Sequence, residues 1–273
     1  MLCANVCALG NFEPTADGKA QAAEKLACFE CGHCVAVCPM DAITHTELDQ
    51  TKFEPVDEAA RPDGEEFLKF LKSRRSRREF MDEPVPAEVI EKLLEAASHA
   101  PSSLNTQSVE YTVITNRAVI SDIATESRAF YVNMRSLLKN TGGKLLVRAM
   151  AGGAYDGMSR VFPLVDLVAD SDTDVVLYNA PCVILIHGRK TDIYAQSDAI
   201  FNAGNILLAA ETLGLGACVI GLVTEPMNRD KGLKSLARIP ASHKVLCTIT
   251  LGYPKFKYKR TVPKKPPKVH YVG

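Results

Sequence analysis

The sequence predicts an α+β protein in which a small cysteine-rich domain precedes a larger body. Three observations carry that prediction. Six of the nine cysteines lie before residue 40, the rest of the chain mixes strands and helices without regular βαβ alternation, and its helical segments carry apolar residues on one face. At 273 residues, 47% apolar and 23% charged, the chain is long enough for one large or two unequal domains and is not composed like a disordered one.

The elements follow in order. Residues 1–45 form the cysteine-rich unit, and the polar stretch 46–64, with Pro55 and Pro62, reads as a linker to a body spanning 65–273. Glu65–Arg75 is helical, and Pro86–His99 is an amphipathic helix with Val89, Ile90, Leu93, Leu94 and Ala97 on one face. Val109–Thr115 alternates as a strand does, whereas residues 120–178 are hard to assign, with a glycine-broken stretch at Gly142–Gly157. A buried strand at Pro181–His187, a long apolar helix at Ala195–Leu213, a strand at Ala217–Leu222, a helix at Met227–Ala237 and a strand at Lys244–Leu251 follow. The last twenty residues, basic and proline-rich, read as an extended arm.

Charge divides the chain in the same way. Lysine plus arginine equals the acids, 32 against 32, so the net charge points to neither nucleic acid nor membrane. Residues 1–60 nevertheless hold ten acids against three lysines, and residues 255–268 hold seven basic residues and no acid. The tail lacks an aromatic stacking platform or reading helix, so no nucleic-acid partner is expected. Ile206–Val223 holds Glu211 and three glycines and reads as a helix end running into a strand rather than a membrane span. With no basic-then-apolar leader at the N-terminus, the expected compartment is the cytoplasm, where free and metal-bound thiols are normal.

Cys28-x-x-Cys31-x-x-Cys34-x-x-x-Cys38-Pro39 has the spacing of a bacterial-type ferredoxin site. Thiolates are soft ligands that suit iron–sulfur clusters, and Gly32 lets the loop turn sharply. A zinc knuckle or a disulfide pair are the competing uses of such a run. In two-cluster ferredoxins the fourth cysteine of each run ligates the other cluster, and Cys3-Ala-Asn-Val-Cys7 aligns with Cys34-Val-Ala-Val-Cys38. On that reading Cys7, Cys28, Cys31 and Cys34 complete one 4Fe–4S cluster. Cys3 and Cys38 belong to a second, whose other cysteines are expected upstream of Met1; alternatively both are free thiols.

Four segments of the body stand out. Leu71-Lys-Ser-Arg74-Arg75-Ser76-Arg77-Arg78 offers guanidinium forks and a hydroxyl, which suit a phosphate, although such a run is more often a solvated face. Pro101-Ser102-Ser103-Leu104-Asn105-Thr106-Gln107 forms a polar turn after the amphipathic helix. Gly214-Leu-Gly216-Ala-Cys-Val219-Ile220-Gly221 ends a long helix, and Leu251-Gly252-Tyr253-Pro254 precedes the tail. Together, in this order and spacing, they resemble the FMN-dependent nitroreductase family, in the subgroup carrying an N-terminal ferredoxin domain. The resemblance covers nearly the whole chain, least well over 120–178.

The resemblance implies a dimeric α+β flavoprotein with FMN in two clefts at the subunit interface. By position, Arg74, Arg75, Ser76 and Arg78 correspond to ligands of the flavin's phosphate, ribityl and pyrimidine edge. Pro101, Ser102, Ser103 and Asn105 correspond to the other subunit's contribution. Val219, Ile220 and Gly221 correspond to the loop against the isoalloxazine, and Arg260, with Lys259, closes on the phosphate. The family often has Pro-Trp after the glutamine, where this chain has Ser108-Val109 and no tryptophan anywhere.

Other candidates carry less. Cys182, Cys218 and Cys247 sit in apolar strand patterns and read as buried thiols. The six histidines show no metal-ligand spacing, and no dinucleotide-binding glycine fingerprint occurs. The expected activity is electron transfer from the cluster to FMN and on to a small acceptor such as a nitroaromatic, quinone or activated alkene. The donor is an external ferredoxin-like or NAD(P)H-linked carrier. Phe130 and Tyr131 are the substrate-stacking candidates. An electron-transfer module serving a protein partner and an iron–sulfur redox sensor are the alternatives.

Overall fold

The structure is a computed structural model that describes residues 1–23, 27–152 and 162–273. Residues 153–157 of the glycine-broken stretch therefore lie outside the described residues. The chain forms two compact units: residues 1–67 together with 102–107, and residues 68–101 together with 108–273.

The first unit is built from short pieces. It holds helix α1 (Leu2–Val6), a hairpin of β1 (Phe12–Pro14) and β2 (Ala20–Ala22), and helix α2 (His33–Ala36). Residues 46–64, read as a linker, group with this unit. They carry two 3-10 turns, Gln50–Lys52 and Glu58–Ala60, opened by Asp49 and Asp57 side chains that accept backbone N–H bonds. Gly32 has φ of 70°, and a Cβ there would lie 3.2 Å from the Phe53 ring. Glycine therefore meets both the left-handed turn and the close packing of this segment.

Helix α3 (Gly64–Ser73) leads into the second unit, whose helices α4 (Ala87–Ser98), α5 (Arg117–Lys139), α6 (Thr141–Ala151) and α7 (Phe162–Asp170) precede most of the sheet. Strands β3 (Glu110–Ile114), β4 (Cys182–Arg189), β5 (Gly216–Val219) and β6 (His243–Gly252) form an antiparallel sheet in the order β3-β4-β6-β5. Strand β4 is buried at every residue but its last, so its side chains alternate between two cores. Val183 and Leu185 face one core with Ile123, Val168, Val223 and Met227; Cys182, Ile184 and Ile186 face the other with Leu93, Ala203 and Ile206. Full burial of such aliphatic side chains contributes about 1.5–3 kcal/mol each.

Two local signals position the site. Helix α8 (Ala195–Thr212) ends at Gly214 in the left-handed conformation, with Leu215 N–H bonded to Ala210 O at 2.8 Å and Gly214 N–H to Glu211 O at 3.4 Å. This is a Schellman ending, and it turns the chain directly into β5. The segment expected as one helix over Met227–Ala237 is two, α9 (Gly221–Arg229) and α10 (Lys231–Leu236). Asp230 breaks the run because its carboxylate caps the Gly232 and Leu233 N–H groups of the second helix. Among the described residues, no helix is long and apolar enough to cross a membrane.

Candidate functional site

After α3 the chain crosses the edge of β5. Ser76 pairs with Ala217 in a parallel bridge, and Arg77 N–H donates to Ala217 O at 3.0 Å. This approach needs Gly216, where a Cβ would lie 2.7 Å from the Arg77 Cβ. Consecutive side chains then diverge. Arg77 turns inward, pairing with Glu211 at 3.1 Å, donating to Phe256 O at 2.8 Å and lying 4.5 Å from the Tyr258 ring centroid. It fastens the start of the C-terminal arm to the body. Arg74, Arg75, Ser76 and Arg78 instead line a cavity of about 740 Å³, closed on its other side by Tyr258 and residues 261–267 of the arm.

That cavity is suited to an anion. Arg74 and Arg75 are half-buried, and among the described residues neither forms an ion pair with a carboxylate. Arg78 lies 5.7 Å from the ring centroid of Tyr178, whose phenol is pushed up in pKa by burial and drawn down by Arg78. Tyr178 was not legible as a site residue, because its partner is one hundred positions away in sequence. Lys259 and Arg260 are exposed and fall between the lining residues Tyr258 and Thr261 without lining the cavity themselves. Val219 is exposed at the end of β5, Ile220 is a buried core residue, and Gly221 opens α9. Any contact from Ile220 to a cofactor is thus limited to its backbone.

The Arg77 fastening makes a testable point. Arg77→Ala removes the ion pair, the carbonyl bond and the cation–π contact at once, and is expected to lower stability by about 1–3 kcal/mol. It should also expose the arm to limited proteolysis near Lys257; an arm as resistant as in the parent would contradict its role as the fastener.

Phe130 and Tyr131 are placed differently from expectation. Tyr131 is 7% exposed within a core of Ile123, Val168 and Met227, with its phenol pushed up to about 12 by burial. Phe130 packs edge-on against it, with centroids 5.4 Å apart, and joins the same core. The Tyr131 ring is thus packed in the core of this unit.

The segment 102–107 is tightly wound, with Leu104, Asn105 and Gln107 all at positive φ. Asn105 Nδ2 donates to the carbonyls of Phe29 at 3.0 Å and Glu30 at 3.1 Å. Its side chain thus holds the loop between Cys28 and Cys31. Ser102 Oγ accepts the Gln107 N–H, while Ser103 is half-buried and Pro101 is exposed.

Four of the six N-terminal thiols follow an internal repeat that the structure makes explicit. Cys3 is the second residue of α1 and Cys34 the second of α2, with Met1 and Gly32 as the respective N-caps. Cys7 Sγ accepts the Asn11 N–H and Cys38 Sγ the Ala42 N–H, both at 3.3 Å. Each pair is separated by the same 31 residues. Cys3 and Cys38 line one cavity of about 600 Å³. Glu30 N–H donates to Cys28 Sγ at 3.3 Å, and His45 Nε2 lies 3.6 Å from it. Burial, with lesser contributions from Cys31 and Cys28, pushes the Cys34 thiol up. Cys182 and Cys247, by contrast, are core thiols raised by burial to about 12 and about 11, and Cys218 is buried in the other core.

Residues 71–253 match the nitroreductase family. The chain belongs to the nitroreductase family. A protein of Archaeoglobus fulgidus assigned as an NADH dehydrogenase/NAD(P)H nitroreductase is 31% identical over 191 residues, covering 70% of this chain and 87% of its own. The iodotyrosine deiodinase of Danio rerio is 27% identical over 222 residues, covering 79% of this chain and 70% of its own. Among solved structures, a nitroreductase with bound FMN from Desulfitobacterium hafniense DCB-2 superposes with a TM-score of 0.57 at 24% identity, covering 76% of this chain and 98% of that one. The nitroreductase match begins inside α3 and ends just before the arm, so it takes in the Arg74–Arg78 run and all four strands of the sheet.

Proposed function

We propose that this nitroreductase-family protein is an FMN-dependent oxidoreductase that receives electrons through a 4Fe–4S cluster on Cys7, Cys28, Cys31 and Cys34. It passes them to a small acceptor such as a nitroaromatic, quinone or activated alkene. The observation that carries the proposal is the pair Arg74 and Arg75, half-buried on a cavity wall and, among the described residues, without a carboxylate partner. When bound, FMN supplies two-electron redox chemistry and the cluster one-electron delivery.

The chain's own residues bind, orient and tune. Arg74 and Arg75 give charge-assisted forks to a phosphate dianion, with Ser76 adding a hydroxyl and Lys259 and Arg260 adding charge from the arm. Arg78, 5.7 Å from the Tyr178 ring centroid, would offer a cation to the pyrimidine edge of a bound flavin and favour its anionic reduced form. Val219 and the Ile220–Gly221 backbone provide the wall at the end of β5. In a homodimer, Pro101, Ser102, Ser103 and Asn105 complete the cleft of the other subunit. Asn105 then has a double position, because its amide already grips the Cys28–Cys31 loop.

Anaerobically reconstituted protein is expected to hold one FMN and about four irons per chain, or about eight if Cys3 and Cys38 share a second cluster with further ligands. Reduced ferredoxin and NAD(P)H, each offered with a nitroaromatic, a quinone, an activated alkene and a halogenated phenol, then identify donor and acceptor. Protein that binds flavin but no iron would overturn the cluster half of the proposal. Asn105→Ala removes both bonds to the Cys28–Cys31 loop and is expected to lower the iron retained after gel filtration at least twofold; unchanged retention would contradict that role.

A further inference from the structure

Away from the cavity, at the far end of the sheet, three strands bring two histidines and a carboxylate together. His187 and His243 are 3% and 5% exposed, Glu110 is exposed, and one ligand atom from each lies within 4.8 Å of the others. His187 Nδ1 faces His243 Nδ1 at 3.0 Å, His187 Nε2 meets Thr112 Oγ1 at 3.0 Å, and His243 Nε2 lies 3.8 Å from Glu110 Oε1. Strand pairing sets this up: Glu110 opposes His187 across β3 and β4, while His243 opens β6 opposite Arg189. The register shifts between Ile186 and His187, re-aiming the His187 ring.

We propose that Glu110, His187 and His243 bind one divalent first-row cation of the zinc or cobalt type, clipping strands β3, β4 and β6 together. The burial and facing of the two rings carry the argument. Two imidazoles that are 3% and 5% exposed present their Nδ1 atoms to each other at 3.0 Å, with Thr112 Oγ1 3.0 Å from Nε2 of His187. A divalent cation entering between the Nδ1 atoms would take a lone pair from each, with the Glu110 carboxylate supplying the third ligand from the exposed side.

The spacing suits a metal. Zinc–imidazole bonds of about 2.0–2.1 Å at a tetrahedral angle set two nitrogens roughly 3.3–3.4 Å apart, a few tenths of an ångström from the observed spacing. Imidazole and carboxylate suit zinc, cobalt or nickel, unlike the soft thiol set of the first unit. Thr112 fixes the ring of His187 from behind, as outer partners of metal-bound histidines do. The exposed Glu110 side leaves a position for water. Lys234, whose Nζ donates to His243 O at 2.8 Å, opposes the bound charge and moderates the affinity.

The test is cobalt titration of the full-length protein under anaerobic conditions, with zinc competition and thermal melts. The parent is expected to bind one Co²⁺ whose visible bands lack sulfur-to-metal charge transfer, and to melt higher with metal than without. Glu110→Gln and Thr112→Val should each weaken that binding at least tenfold and abolish the metal-induced rise in Tm, and His243→Gln should eliminate it. Melts of the metal-free variants close to the parent show that they fold; if His243→Gln does not, Glu110→Gln still decides. Equal cobalt stoichiometry and affinity in parent and Glu110→Gln would overturn the site. So would a parent in which every bound cobalt carries a thiolate band.

Discussion

Replacing Arg74 and Arg75 together by alanine is expected to raise the Kd for FMN by roughly two to four powers of ten. A hydrogen bond to a charged group contributes about 1.5–3 kcal/mol, and the double variant removes at least one such bond from each guanidinium. The effect should be uniform on flavin capture, because on the proposed reading the two side chains hold the phosphate and not the ring. Folding should survive: neither side chain is in a core, and among the described residues neither has an ion pair to break. Fluorescence titration of apoprotein with FMN measures it directly. Riboflavin, which lacks the phosphate, is the internal control, since its affinity should hardly differ between parent and variant. A double variant that binds FMN as the parent does would remove the anion role from this cavity.

Cys31→Ser should have the second large effect. It is expected to lower iron from about four per chain to background, because one lost thiolate leaves a cuboidal cluster three-coordinate and labile. Ferredoxin-driven turnover should fall at least a hundredfold, whereas chemical reduction of bound FMN by dithionite should persist. Cys182→Ser is the contrast. That thiol lies in the core, raised to about 12 by burial, and its replacement should alter stability but not iron content. If Cys31→Ser keeps both its iron and its ferredoxin activity, the cluster set is wrong.

How much of this could be read from residues alone varies with the range of the forces involved. Helix α4 and strand β4 were legible to within a residue or two, because Ile90, Leu93 and Ala97 repeat at helical spacing and Cys182–His187 is a continuous buried run. The long helix α5 was missed in the ambiguous 120–178 stretch, although Asn116 caps it and Ile120, Ile123, Ala124 and Tyr131 mark its buried face. Those same apolar positions explain why Tyr131 is a core ring. The break at Asp230 was missed because a capping aspartate inside a helical pattern can be taken for an exposed helix residue.

The six histidines showed no ligand spacing because spacing rules detect ligands that share one loop or helix. Glu110, His187 and His243 come from three strands, and only the register of β3, β4 and β6 brings them together. Arg77 and Arg78 are adjacent and chemically identical, yet one fastens the arm and the other faces the cavity. By itself the sequence determined the thiol repeat, the anion-seeking basic run, the core helices and the central strands, each set by residues a few positions apart. Tertiary structure alone decided which arginine is spent on packing, which aromatic is buried and where the histidines meet. Those outcomes depend on strand register and side-chain direction, which are settled only when distant segments exclude water from one another.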